Sequence, residues 1–393
     1  MMRKINVLSP KFRVKEILDA IKICLDKGWS GMGFKTVEFE EAWKTYTGFQ
    51  HAHFLQSNTV GLHLALNVFK NKKGWADGDE IISTPLTFVS TNHAILYERL
   101  TPVFADVDEF LCLDPKSVED KITEKTRAVM YVGIGGNAGR LDKIREICDK
   151  HNLMLILDAA HLAGSYTNKT LRDGKDSVCH IGWEADVSIF SFQAVKNLPT
   201  ADSGMICFKN QDYDALARHL SWLGIDKDTY SRSSDAGSYK WRYDVPNVGF
   251  KYHGNSIMAS IGLVQLKYLD ADNDYRNKVA QWYESLILET GLSSVLKIVP
   301  TSDYTVKSSR HLFQVLVDEN FRDKIISELY ESEIYPGVHY IDNTLYPMYS
   351  KSNGLCPNSH NFSKRLITLP IHLNITHDDC ERVVLALKKI LIS

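Results

Sequence analysis

Between about residues 50 and 210 the chain alternates short runs of β-branched and apolar residues with stretches of helical periodicity, and few architectures accommodate that pattern. Parallel strands cannot be joined by a tight turn, so each crossover takes a helix, and the expected outcome is an α/β domain with a largely parallel sheet. The candidate strands are His53–Gln56, Glu80–Ser83, Pro102–Ala105, Arg127–Val132, Leu153–Asp158, Asp186–Phe190 and Gly204–Phe208, seven in one sheet.

Two helices are expected ahead of them. Val14, Ile17, Leu18, Ile21 and Leu25 mark the apolar face of one, and Phe39, Ala42, Trp43 and Tyr46 that of the other, which Gly48 ends. The segment Gly28 to Gly33 between them is too rich in glycine for a helix and reads as a loop. After about residue 245 the pattern changes to helices near 254–270, 271–291, 320–333 and 376–391, with a strand at His311–Val317. This predicts a large domain over 1–245 and a smaller α+β domain over 246–393, and the 393 residues, 44% of them hydrophobic, suffice for both.

Charge and cysteine content narrow the partners. A formal net charge of −2 without a long basic run argues against nucleic acid or an anionic membrane. The seven cysteines are scattered, with no Cys-x-x-Cys pair, so neither a disulfide framework nor a metal site is expected. The N-terminus lacks the apolar stretch of a signal peptide and no window approaches a membrane span, which fits the cytoplasm.

Asp158 closes the apolar run Leu153–Leu157, and Lys196 lies in Ser191-Phe192-Gln193-Ala194-Val195-Lys196-Asn197. A buried carboxylate and a lysine at strand ends are what a protein needs to hold pyridoxal phosphate (PLP). The amine joins the aldehyde as an imine, and the carboxylate keeps the pyridine nitrogen protonated so that the ring is an electron sink. Taken singly, each residue has an ordinary reading, a solvated loop lysine and a turn or cap aspartate.

Neighbouring segments make the pair informative. Ser57-Asn58-Thr59-Val60-Gly61 follows a strand and opens a helix carrying Leu62, Ala65, Leu66 and Phe69, which is either an N-cap or a phosphate site on free N–H groups. Phe88, in Thr87-Phe88-Val89-Ser90-Thr91, is either core or a ring that stacks on a flat heterocycle. His161, one turn past Asp158, could hydrogen-bond such a ring's phenolic oxygen or be satisfied in the core, and Ser191 could add a hydroxyl to the phosphate site. Gly133-Ile134-Gly135-Gly136-Asn137-Ala138-Gly139 imitates a dinucleotide fingerprint, but its third glycine is one residue too far and Asp142 too early, so NAD is not expected.

Taken together, these segments resemble the DegT/StrS family of sugar aminotransferases. The likeness runs from Gly28-Trp29 and Phe39-Glu40 through Ser57-Asn58-Thr59, Leu86–Thr91, Pro102–Asp108, Asp158–His161 and Ser191–Asn197 to Val248–Tyr252, Val338-His339-Tyr340 and Leu369–His372. The resemblance implies fold type I of the PLP enzymes, a homodimer with shared active sites, and amino transfer from L-glutamate to a keto group on a nucleotide-linked sugar. It makes Lys196 the imine lysine, Asp158 the pyridinium partner, His161 the residue where the family has Gln or His, and Phe88 the stacking ring. Thr59, Val60 through its N–H, and Ser191 would hold the phosphate.

Where many members carry an Asn that reaches the neighbouring subunit's phosphate, this chain has Lys251, with His253 and Asn255 as substitutes. Ser191–Met205 and Ile334–Tyr340 look closest to enzymes that aminate C4 of a dTDP-linked 4-keto-6-deoxyhexose. Trp29, Tyr230, Arg310, His311, His339 and Tyr340 are candidate substrate contacts. Two other readings stand beside this one. A sugar 3-dehydratase of the same family would carry His in place of Lys196, and a non-catalytic regulator on the same fold would need neither Lys196 nor Asp158.

Overall fold

The seven expected strands form the central sheet: β1 (His53–Leu55), β2 (Glu80–Ser83), β3 (Thr101–Phe104), β4 (Thr126–Val132), β5 (Met154–Asp158), β6 (Val187–Ser191) and β7 (Gly204–Phe208). Each lies within one residue of its expected bounds. The computed structural model describes residues 3–170, 176–225 and 243–392. Across the sheet the order is β1-β7-β6-β5-β4-β2-β3, with β7 antiparallel to both neighbours and the other pairings parallel. The C-terminal ends of β1, β2, β4, β5 and β6 therefore share one edge, and β7 begins there, Gly204 pairing with both Leu55 and Ser191.

Successive side chains of a strand point to opposite faces, and here both faces are dry. Leu55, Ile81, Ile156, Ile189 and Ile206 meet Leu62, Leu66 and Phe69 of helix α3 (Asn58–Lys73) on one side. Phe54, Ile82, Leu155, Leu157 and Phe190 form a core with Phe39 and Trp43 on the other. Each such side chain contributes roughly 1.5–3 kcal/mol by leaving water, which fixes the register of the strand ends that carry polar groups.

Helices α1 (Val14–Asp26) and α2 (Phe34–Thr47) are present, α2 ending at Gly48 in a left-handed conformation (φ 78°). The buried stripe of α1 is narrower than its apolar face. Ile17 and Cys24 are buried, whereas Val14, Leu18 and Leu25 are exposed; the buried side packs on its neighbour, Cys24 Sγ lying 3.3 Å from Ser260 Oγ. That neighbour is the helix Ser256–Leu266, where Gly262 leaves room for Phe39, whose ring a Cβ would approach to 2.6 Å.

A second antiparallel sheet, Lys297–Ile298, Phe313–Leu316 and Leu366–Leu369, has its own core with Tyr283, Ile325, Leu329, Val383 and Leu387 from three helices. The N-terminal Ile5–Asn6 pairs in parallel with Ile334–Tyr335 beside it. A hairpin, Tyr166–Thr170 with Asp176–His180, extended by Thr305–Lys307, was not among the expected elements. Its polar strands lack the apolar run that marks the central ones. Among the described residues no helix is long and apolar enough to cross a membrane.

Candidate active site

A cavity of about 440 Å³ opens at the C-terminal edge of the central sheet, where helix N-termini converge and α/β folds hold ligands. Of the candidate residues it brings together Thr59, Phe88, Asp158, His161, Ser191 and Lys196, with His311, His339 and Tyr340 on the far wall. A more open cleft of about 510 Å³, lined by Lys73, Arg127 and His151, lies at the other edge and holds neither Asp158 nor Lys196.

Asp158 is the last residue of β5 and is buried. Its Oδ2 accepts from the Thr91 hydroxyl at 2.8 Å, and its Oδ1 from the Ala160 N–H at 3.2 Å and from Asn58 Nδ2 at 3.3 Å. Thr91 sits in the first turn of α4 (Val89–Tyr97), Asn58 opens α3, and Ala160 belongs to the loop beyond β5, so three elements hold one carboxylate. Burial pushes its pKa up, against these donors and Lys196, which pull it down. A cationic group bound against it in the cavity would favour the ionised form.

Lys196 lies on the loop between β6 and β7, which is pinned from within. Its N–H donates to the Gln193 carbonyl at 2.8 Å, the Val195 N–H to Gln193 Oε1 at 3.0 Å, and the Thr200 N–H to the Phe192 carbonyl at 2.8 Å. Burial lowers the amine to about 8, against the upward pull of Asp158. The amine is thus deprotonated in part near neutral pH, as a nucleophile and proton carrier must be.

His161 has a defined hydrogen-bond direction. Its Nδ1 accepts from the Gly135 N–H at 3.2 Å, so in the neutral ring Nε2 carries the proton and donates to Tyr340 Oη, 3.2 Å away. Burial, and then Lys196 and His339, hold this imidazole well below its ordinary pKa, so it is neutral. The glycine run that imitates a dinucleotide fingerprint is therefore the turn that orients His161, with Gly135 in the left-handed region (φ 64°).

Ser57 caps α3, its Oγ accepting from the Val60 N–H at 3.4 Å, while Thr59 faces the cavity. At Gly204 a Cβ would lie 2.8 Å from Asn58 N, Ser57 C and the Phe190 carbonyl, so the first turn of α3 rests directly on β7. Phe88 precedes α4 and is 58% exposed, its ring 6.0 Å from that of Tyr340.

The remaining candidates lie elsewhere. Lys251 Nζ sits 3.4 Å over the Trp222 ring, His253 is 4.4 Å from the same indole, and Asn255 caps the helix Ser256–Leu266 through the Met258 N–H. Trp29 donates to the Met32 carbonyl at 2.7 Å, and Arg310 pairs with Glu284 at 3.3 Å. Tyr230 falls outside the described residues. Sequence reasoning passed over Thr91, Asn58 and Asn197, although all three stand in the quoted motifs; the signal missed was a short polar residue at a helix start or beside the lysine. It also passed over Leu8, which reaches the cavity from the N-terminal segment without any sequence signal.

The cavity fits PLP. It offers an amine, a carboxylate fixed by three donors, a flat exposed ring, and a helix N-terminus on a strand kept free of a side chain. Comparison with known proteins agrees. Spore coat polysaccharide biosynthesis protein SpsC of Bacillus subtilis is 34% identical over 387 residues, 96% of this chain and 94% of that one. The aminotransferase TlmJ from Streptoalloteichus hindustanus superposes with a TM-score of 0.86 at 28% identity, covering 98% of both chains. Spr1654 of Streptococcus pneumoniae, solved in its PLP form, also gives 0.86, at 26% identity over 99% of this chain and 98% of that one. These neighbours have fold type I of the PLP enzymes. The DegT/DnrJ/EryC1/StrS aminotransferase family model matches residues 12–388, and the chain belongs to that family of PLP-dependent sugar aminotransferases.

Proposed function

We propose that the enzyme transfers the amino group of L-glutamate to C4 of a dTDP-linked 4-keto-6-deoxyhexose, a step in deoxyamino sugar biosynthesis. The observation that carries the amino transfer is the meeting of Lys196 and Asp158 in one cavity beside the first turn of α3; the C4 position and the dTDP carrier rest on the likeness of Ser191–Met205 and Ile334–Tyr340. PLP, when bound, supplies an electron sink for the negative charge that develops at carbon when a C–H bond adjacent to nitrogen loses its proton.

The protein supplies the rest. The Lys196 amine would hold the cofactor, give way to the amino donor, and in its neutral form take the proton from the donor's α-carbon and deliver it to the cofactor's side of the same C–N bond. Asp158 would pair with the ring nitrogen and keep it charged. His161, whose Nε2–H is directed at Tyr340 in the cofactor-free chain, would turn that N–H to the ring's phenolic oxygen, and Phe88 would cover one face of the ring. Thr59 and Ser191, with the Val60 N–H once it leaves Ser57 Oγ, would hold the phosphate. With water supplying the keto oxygen, glutamate would leave as 2-oxoglutarate while its nitrogen stays with the cofactor, and the sugar ketone would then take up that nitrogen and give its oxygen up as water.

The domain division at 245/246 and a cytoplasmic homodimer belong to the same reading. Support for the dimer comes from the exposed apolar Val14, Leu18 and Leu25 on α1. Lys251, His253 or Asn255 would then reach the partner's phosphate. His339 and Tyr340 are the preferred substrate contacts because they face the cavity. Against a 3-dehydratase stands the lysine at position 196.

The test is a panel of dTDP-, UDP- and GDP-linked keto sugars offered with L-glutamate. The expected result is 2-oxoglutarate and a 4-amino sugar from the dTDP-linked 4-keto substrate. Ammonia released without 2-oxoglutarate would point to the dehydratase instead.

A further inference from the structure

Thr87, in the loop between β2 and α4, is buried and lines the cavity beside Phe88. Its backbone is held by Asn343, which belongs to the segment that brings Tyr340 to the far wall. Asn343 Nδ2 donates to the Thr87 carbonyl at 2.9 Å and to the Ile341 carbonyl at 3.2 Å. Carbonyls only accept, so the amide has one orientation, and its Oδ1 accepts from Asn92 Nδ2 at 3.0 Å. The Asn343 N–H donates to the Pro85 carbonyl at 2.8 Å, and Asn92 Nδ2 donates to that of Thr84 at 3.1 Å. Two buried amides thus fix the loop that carries the Thr87 hydroxyl.

That hydroxyl lies 3.1 Å from the hydroxyl of Thr91. The distance alone does not say which oxygen donates, but the neighbour on the other side does. Thr91 has one hydroxyl hydrogen, and an ionised carboxylate only accepts, so with Asp158 Oδ2 at 2.8 Å that hydrogen is directed at the carboxylate. Thr87 is then the donor and Thr91 the acceptor. The two hydroxyls form a directed chain that runs from Thr87 through Thr91 to Asp158. A hydroxyl that accepts a hydrogen bond becomes a better donor, and the effect is largest where water is excluded.

We propose that Thr87 is a positioning residue: by donating to Thr91 it aims and strengthens the hydrogen bond with which Thr91 holds the Asp158 carboxylate in its charged form. When Asp158 is protonated, both hydroxyls can turn about, Asp158 donating to Thr91 and Thr91 to Thr87, so a chain exists in either state. Hydrogen bonds to an ionised group are about twice as strong as those between neutral groups, so loss of the Thr87 hydroxyl weighs more on the carboxylate than on the acid. The functional meaning of this chain rests on the role given above to Asp158.

The test reads Asp158 itself, on the full chain without added cofactor. In protein carrying ¹³C at its aspartate carboxyl carbons, with Asp158→Asn used to assign the signal, the pH midpoint of Asp158 is followed by NMR. Thr87→Val, which keeps the shape and removes the O–H, should raise that midpoint by roughly a few tenths of a pH unit, the share that one hydrogen bond lends to the next. Thr87→Ala should do the same, and Thr87→Ser should restore the native value. In a Thr91→Val background, where the chain is already cut, Thr87→Val should no longer move the midpoint. The other titratable side chains that line the cavity, Lys196, Asp202, Tyr340, His161, His311 and His339, are the same in every variant. A midpoint that stays or falls in Thr87→Val, a Thr87→Ser that behaves like it, or an equal rise in the Thr91→Val background overturns the proposal. The readout does not involve PLP, so its failure leaves the cofactor role of Asp158 standing, and failure of that role leaves the hydroxyl chain intact.

Discussion

The Thr91 hydroxyl donates to Asp158 Oδ2 at 2.8 Å, so a residue in the first turn of α4 restrains the carboxylate that closes β5. Burial already holds this carboxyl above its ordinary range, and without that donor it would hold its proton more tightly still. A protonated Asp158 cannot keep a pyridine nitrogen charged.

Thr91→Val, which preserves shape and removes only the O–H donor, should therefore weaken PLP binding. Hydrogen bonds to charged groups contribute about 1.5–3 kcal/mol, so the dissociation constant should rise on the order of tenfold or more. Absorbance titration of the cofactor-free chain measures it. An unchanged constant would mean that Asp158 is held sufficiently by Asn58 and the Ala160 N–H.

The Lys196 amine offers a test by pH. Its folded value of about 8 lies below its ordinary 10.5, so between the two the folded chain binds fewer protons than the unfolded one and stability rises with pH. That contribution is fully present above 10.5 and is lost as pH falls through about 8. Lys196→Met should accordingly stabilise the cofactor-free chain at pH 7, by on the order of 2 kcal/mol, with the advantage shrinking toward pH 10. Urea unfolding at the two pH values checks the sign.

Gly204→Ala should perturb the site without touching a polar group. The added Cβ would lie 2.8 Å from backbone atoms on either side and so cannot be relieved by a side-chain rotation. Overpacking of this kind costs about 1–3 kcal/mol, and here it displaces the first turn of α3. Lower thermal stability together with weaker cofactor binding is expected. Binding that stays native while stability falls would separate the strand from the proposed phosphate site.

Much of this was legible in the sequence because apolar periodicity is local. The seven strands, the helix starts at Asn58 and Val89, and the placement of Asp158 at a strand end and of Lys196 on the loop after a strand all follow from runs of a few residues. What the sequence does not carry is contact across long separations. Thr91 and Asn58 reach Asp158, Gly135 orients His161, and Asn197 meets Asn273 and Ser309 only after the sheet order is set. Arg310 illustrates the opposite error, since its neighbour His311 lines the cavity while the guanidinium turns away to Glu284. The hairpin Tyr166–Thr170 with Asp176–His180 escaped because its strands lack an apolar run.

The central claim is that Lys196 is the amine that binds PLP, and reduction of the holoenzyme with borohydride followed by peptide mapping tests it most directly. The account predicts a reduced phosphopyridoxyl group on the peptide containing Lys196, absent from Lys196→Ala. A label on any other lysine, or a yellow holoenzyme that yields no labelled peptide, would contradict it.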